Sequence, residues 1–150
     1  MPVIELTTFI AAPERDCFDL SLSVEAHASS MGRSGERAIR GVTTGAMGHG
    51  DTVTWRARHF GLPFTMTSRI TDYEAPHRFV DQQVSGPFRR WWHEHVFAAR
   101  DGGTVMVDRV EFESPAGPVG RVVNRIVLTR YMTALLTERN RWLKEELERR

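Results

Sequence analysis

Between residues 36 and 114 polar and apolar side chains alternate with a period of two, in runs broken by Gly, Pro and Asp. Such alternation marks half-buried strands. It predicts strands over about 36–44, 51–60, 64–74, 77–85, 90–100 and 104–114. The links hold Gly45 to Gly50, Gly61-Leu62-Pro63, Ala75-Pro76, Gly86-Pro87 and Asp101-Gly102-Gly103. Links this short join antiparallel neighbours, because a parallel crossover needs a dozen or more residues. A further β-rich run occupies 3–10, and Ala12-Pro13-Glu14 then opens two short helices, about 13–20 and 24–31. After Pro118 the period lengthens. Val122, Val123, Ile126, Leu128, Met132, Leu135, Leu136, Leu143 and Leu147 fall at helical spacing across 119–148. That helix is roughly 45 Å long, and strands of eleven residues reach about 36 Å. The expectation is an α+β domain, spanning 1–150, in which a curved antiparallel sheet wraps one long helix around an internal cavity.

Parity assigns the inner face. It gathers Val53, Trp55, Ala57 and His59 from one strand and Phe64, Met66, Ser68 and Ile70 from the next. Trp91, His93, His95 and Phe97 follow from 90–100, and Met106, Asp108, Val110 and Phe112 from 104–114. Strand 77–85 is ambiguous: Phe79, Asp81 and Gln83 oppose Val80, Gln82 and Val84. The inner set is mostly apolar but includes His59, His93, His95, Asp108 and, on one assignment, Asp81 and Gln83. An unpartnered polar group in a dry core costs roughly 2–7 kcal/mol. These groups therefore pair with one another or line a space holding water or a ligand.

Composition narrows the function. Hydrophobic residues make up 41% and charged residues 26% of 150, with a net charge of +1. Nineteen of the 20 basic residues are Arg, spread along the chain, so no nucleic-acid partner is expected. Cys17 is alone, which excludes an intrachain disulfide and a Cys-rich metal site. No apolar run approaches the ~20 residues of a membrane span. The expected location is cytoplasmic, without stable membrane insertion, as monomer or homodimer.

The run Phe9-Ile10-Ala11-Ala12-Pro13-Glu14-Arg15-Asp16-Cys17-Phe18 and the segment Gly86-Pro87-Phe88-Arg89-Arg90-Trp91-Trp92-His93-Glu94-His95-Val96-Phe97 resemble the SRPBCC superfamily. Thr104 to Phe112 and Pro118-Val119-Gly120 extend the likeness to its bacterial cyclase/dehydrase-like subgroup. The resemblance implies a helix-grip fold of order β-α-α-β6-α with seven strands, and a hydrophobic or amphipathic small-molecule ligand. It implies no single reaction, because members include carriers, sensors and enzymes.

Candidate catalytic residues are His93, His95 and Asp108. Spacing of two on a strand puts both imidazoles on one face about 7 Å apart, and Asp108 on a neighbouring strand can orient one of them. His59 is the one candidate for a third metal ligand, and neither metal nor cofactor is expected. The ligand-binding set adds Trp55, His59, Met66, Ser68, Phe79 and Asp81 to Trp91, His93, His95, Phe97, Met106 and Asp108. Tyr131 joins it from the long helix, where Arg130 also interrupts the apolar stripe; Arg139 and Arg141 belong to the solvated face. The Gly45–Gly50 segment lacks a following Lys-Ser/Thr and reads as a hairpin turn near the cavity mouth. Three functions fit: a binder of a lipid- or polyketide-like molecule, a cofactor-independent aromatase/cyclase-type enzyme, or a macromolecular interaction module.

Overall fold

Short turns dictate the sheet. His59 and Leu62 are joined by two residues, Phe60 and Gly61, with φ of 54° and 75°. Positive φ at both central positions is the hairpin turn whose twist matches that of the strands it joins. The structure, a computed structural model, describes residues 2–115 and 125–150. Its elements run β1 (Val3–Ile10), α1 (Glu14–Ser21), α2 (Val24–Ser30), β2 (Arg37–Gly41), β3 (Thr52–His59), β4 (Leu62–Glu74), β5 (Arg78–Ser85), β6 (Phe88–Arg100), β7 (Gly103–Pro115) and α3 (Arg125–Arg149). The seven strands form one antiparallel sheet in the order β1-β7-β6-β5-β4-β3-β2. The expected helix-grip fold is thus present. The stretch 119–124, expected to begin the long helix, lies outside the described residues.

Two boundaries differ from expectation for local reasons. Pro13 is the N-cap of α1 rather than its first helical residue. β2 stops at Gly41, whose φ is 74° and where an added Cβ would collide with the Thr52 carbonyl. Only glycine fits there. The Gly45–Gly50 segment is also less free than a plain turn. Its Gly45 amide donates to both carboxylate oxygens of Glu25, and Met47 N–H bonds to Leu22 O at 3.0 Å. These bonds pin it to the α1–α2 junction.

Two apolar clusters hold α3 against the sheet. One contains Phe18, Phe79, Phe97, Met106, Leu143 and Leu147; the other contains Ile4, Trp91, Val110, Phe112, Leu135 and Leu136. Phe18 is fully buried and meets Tyr73, Phe79 and Phe97 edge-on at 5.5–5.6 Å. Burying each such side chain stabilises the fold by roughly 1.5–3 kcal/mol. Along β7, Met106 belongs to the first cluster and Val110 to the second, with Asp108 between them. Along α3, Leu136 precedes and Leu143 follows Arg139 and Asn140, and all four are buried. A polar layer therefore crosses the interior between the two apolar ones. No described helix is long and apolar enough to cross a membrane.

Candidate functional site

Antiparallel register assembles the polar layer. Asp81 on β5 pairs with His93 on β6, and His95 pairs with Asp108 on β7. All four side chains reach the sheet's inner face, where α3 lowers Arg139 and Asn140 onto them. His93, His95, Asp108 and Arg139 are only 5%, 3%, 1% and 3% exposed. Asp108 is the hub. It accepts from His93 Nε2 at 2.8 Å, Arg139 Nη1 at 3.1 Å and Asn140 Nδ2 at 2.8 Å. Burial alone would push its carboxyl up, but the His93 hydrogen bond and the Arg139 guanidinium hold it well below the usual carboxylate range. Being ionised, Asp108 can only accept, so His93 carries its proton on Nε2.

Asp81 behaves likewise. Burial works against its charge, yet the hydrogen bond from His95 and the neighbouring His93 lower its pKa. His95 Nε2 donates to Asp81 Oδ2 at 2.7 Å, while its Nδ1 lies 3.5 Å from Arg139 Nη2. Burial, followed by repulsion from His93, pushes His95 down to about 4, so at neutral pH it is an uncharged ring that donates to Asp81 and faces a guanidinium donor. His93 Nδ1 points toward Asp81 Oδ2 at 3.8 Å, beyond hydrogen-bond range.

The imidazoles do not stand about 7 Å apart as strand spacing implies. They stack at 3.7 Å between centroids, and Phe79 stacks on the far face of His95 at 4.0 Å. Asp81, His93 and His95 each offer a ligand atom within 4.8 Å of the others. Asp81, and not His59, is thus the third group of this cluster. An ion midway between rings stacked at 3.7 Å would lie well out of both ring planes, whereas imidazole lone pairs lie in plane. As folded, the cluster is a hydrogen-bond network.

A cavity of about 180 Å³ opens beside it, more than ten times the ~10–15 Å³ that one water needs. Of the expected ligand-binding residues, Trp55, His59, Met66, Ser68, Phe79, Asp81, Trp91, His93, His95 and Tyr131 line it. Phe97, Met106 and Asp108 do not. Phe97 and Met106 are buried in the first apolar cluster, and Asp108 sits behind the imidazoles. Arg139, expected on the solvated face, is a wall of the cavity, drawn inward by Asp108. Arg130 is exposed. Burial raises the Cys17 thiol, which lies in the core away from any histidine partner.

Sequence reasoning missed a second polar group on the lining. His27 bonds Glu36 at 3.0 Å, and Ser34 Oγ donates to the other Glu36 oxygen at 3.2 Å. Burial opposes the charge of Glu36, but His27 holds its carboxyl below the usual range. His59 Nδ1 meets Tyr131 Oη at 2.8 Å, and burial lowers the His59 pKa. Phe60, in a left-handed conformation rare for a bulky side chain, packs at a tilt against Tyr131, 4.5 Å between ring centroids. The Pro/Gly punctuation located this turn, but nothing local to it announced that Phe60 would line the cavity.

A family model described as polyketide cyclase / dehydrase and lipid transport matches residues 1–148. The chain belongs to this family. The resemblance to the SRPBCC superfamily read from the sequence is thereby shown. Among solved structures, the Zhui aromatase/cyclase from a Streptomyces species superposes with a TM-score of 0.80 at 19% identity, covering 99% of this chain and 94% of that one. Ara h 8.0201 gives 0.70 at 12% identity, covering 99% of both chains. Major latex-like protein 151 from Panax ginseng gives 0.66 at 12%, covering 97% of both. At such identities the likeness is one of fold. No curated protein matches the sequence.

Proposed function

We propose that the protein binds a small, mainly apolar molecule in the cavity between sheet and α3, with a polar end against Asp81 and His93. One observation carries this reading: a roomy interior space whose walls are mainly apolar and carry two built polar stations. Trp55, Met66, Phe79 and Trp91 supply contact area for the apolar body, and methionine adapts to differing shapes. Ser68, His59 and Tyr131 add polar atoms along the way. Native mass spectrometry of freshly purified protein tests the proposal. The expected spectrum shows added small-molecule mass that disappears on denaturation. A bare spectrum, together with no heat on titration of small aromatic compounds, refutes it.

A second reading, a cofactor-independent acid–base enzyme, is supported by one feature. Asp108 orients His93 through Nε2 and turns its other nitrogen toward Asp81, the pattern by which a positioned imidazole moves protons. In that case His93→Asn abolishes turnover of a bound poly-carbonyl compound while its affinity persists. Loss of affinity with no reaction in the parent protein removes this reading.

A further inference from the structure

The deep station presents acceptors. Asp81 Oδ2 accepts from His95, and no hydrogen bond among the described residues engages Asp81 Oδ1. His93 Nε2 bonds Asp108, and no hydrogen bond among the described residues engages its Nδ1. No sealed side-chain nitrogen or oxygen lacks a partner among the described residues, so both free atoms are open to the cavity they line. The guanidinium on this wall is no counterweight. Arg139 directs Nη1 to Asp108 and to Asn140 Oδ1 and turns Nη2 to His95.

The charge balance points the same way. Glu36, Asp81 and Asp108 are carboxylates and Arg139 is the one guanidinium of the lining and its immediate backing, giving −2 among the described residues. With its imidazoles neutral, the interior therefore offers an anion no net positive charge among the described residues. A buried carboxylate placed against Asp81 would face a like charge, an arrangement that is strongly unfavourable in a low-dielectric space.

Resting on the binding function proposed above, we infer that the cavity selects ligands whose polar end donates hydrogen bonds and carries no negative charge, such as an alcohol, a phenol or an amine, and rejects the carboxylate of the same skeleton. The observation behind this is the unengaged Asp81 Oδ1, a carboxylate oxygen beside His93 on the lining of a largely apolar space, with the Arg139 guanidinium turned to Asp108 and His95.

Calorimetric titration at pH 7 with 2-naphthol and 2-naphthoate tests it, since a phenol is neutral and a carboxylate charged at that pH. The two probes share a body and differ at the polar end. The expected result is at least tenfold tighter binding of 2-naphthol, with Asp81→Asn lowering that ratio toward one. Equal or tighter binding of 2-naphthoate overturns the inference while leaving cavity binding intact. A ratio unchanged in a folded D81N variant, checked by circular dichroism, overturns the assignment to Asp81; if D81N does not fold, the ratio in the parent protein decides. Failure of both probes to bind at millimolar concentration refutes the underlying binding function and this inference with it.

Discussion

Replacing Arg139 by Met tests the polar layer most directly. Methionine keeps much of the apolar stem of arginine and removes its charge. Asp108, 1% exposed, would retain the His93 and Asn140 hydrogen bonds, both 2.8 Å, but lose the guanidinium at 3.1 Å. Breaking a buried pair and leaving one charge behind costs about 3–5 kcal/mol. A protein of this size has a total stability of about 5–15 kcal/mol, so R139M is expected to be marginal. At roughly 2–4 °C per kcal/mol, melting falls by about 6–20 °C. Urea unfolding at pH 7, followed by tryptophan fluorescence, measures the loss. The pH dependence gives a second readout. In the parent protein the Asp108 pKa is depressed, so its contribution is present above the ordinary 3.8 and lost as pH falls through the lower folded value. Without Arg139 the folded value rises toward the ordinary one, so the window narrows and less stability is lost on acidification. The double variant D108N/R139M is expected to recover part of the loss, because no orphan charge remains. A cost below about 1 kcal/mol for R139M, or strict additivity in the double variant, would refute the buried-pair argument.

Other expectations follow from the same geometry. His95 has a folded pKa of about 4 against its usual 6.5, so the unfolded chain takes up the proton first. Stability is then lost as pH falls from 6.5 toward 4, by about 2 kcal/mol at pH 5, and His95→Gln should flatten that part of the profile; an equally steep H95Q profile rejects the assignment. Phe18→Ala removes three edge-on aromatic contacts and is expected to cost about 3–5 kcal/mol, read by denaturant titration. Tyr131→Phe deletes the 2.8 Å bond to His59 and is expected to cost no more than about 1.5 kcal/mol; a larger loss means that Tyr131 holds the turn through more than that bond.

Period-two patterning revealed most of the fold because burial on one face is a local property of a strand. Trp91, His93, His95 and Phe97 are all buried on the predicted face, as are Met106, Asp108, Val110 and Phe112. β5 resisted for a physical reason. Register shifts at Thr67/Ser68 and Ile70/Asp72 disturb its pairing with β4, and Phe79 and Val80, on opposite faces, are both buried. Alternation carries no information when both faces are covered. Arg139 escaped because helical periodicity treats any arginine as solvated, and only a carboxylate from a strand 31 residues earlier brings it inside. Likewise Glu36 precedes β2, and its inward turn depends on His27 of α2. Pairings set by tertiary approach leave no local trace.

The pairing of the first strand with the last has a temporal consequence. Ile10 lies beside Thr104 and Val3 beside Glu111, while Lys144 Nζ reaches Phe9 O and Glu148 accepts from Ala11 N–H. During synthesis at about 5–20 residues per second, the N-terminal segment waits roughly 5–20 s before its neighbour has even been made. Until then its unpaired edge is exposed to other nascent chains, and slow, non-local closure of this kind favours aggregation over refolding. Early chaperone engagement of residues 3–10 would shelter that edge until the ends of the chain meet.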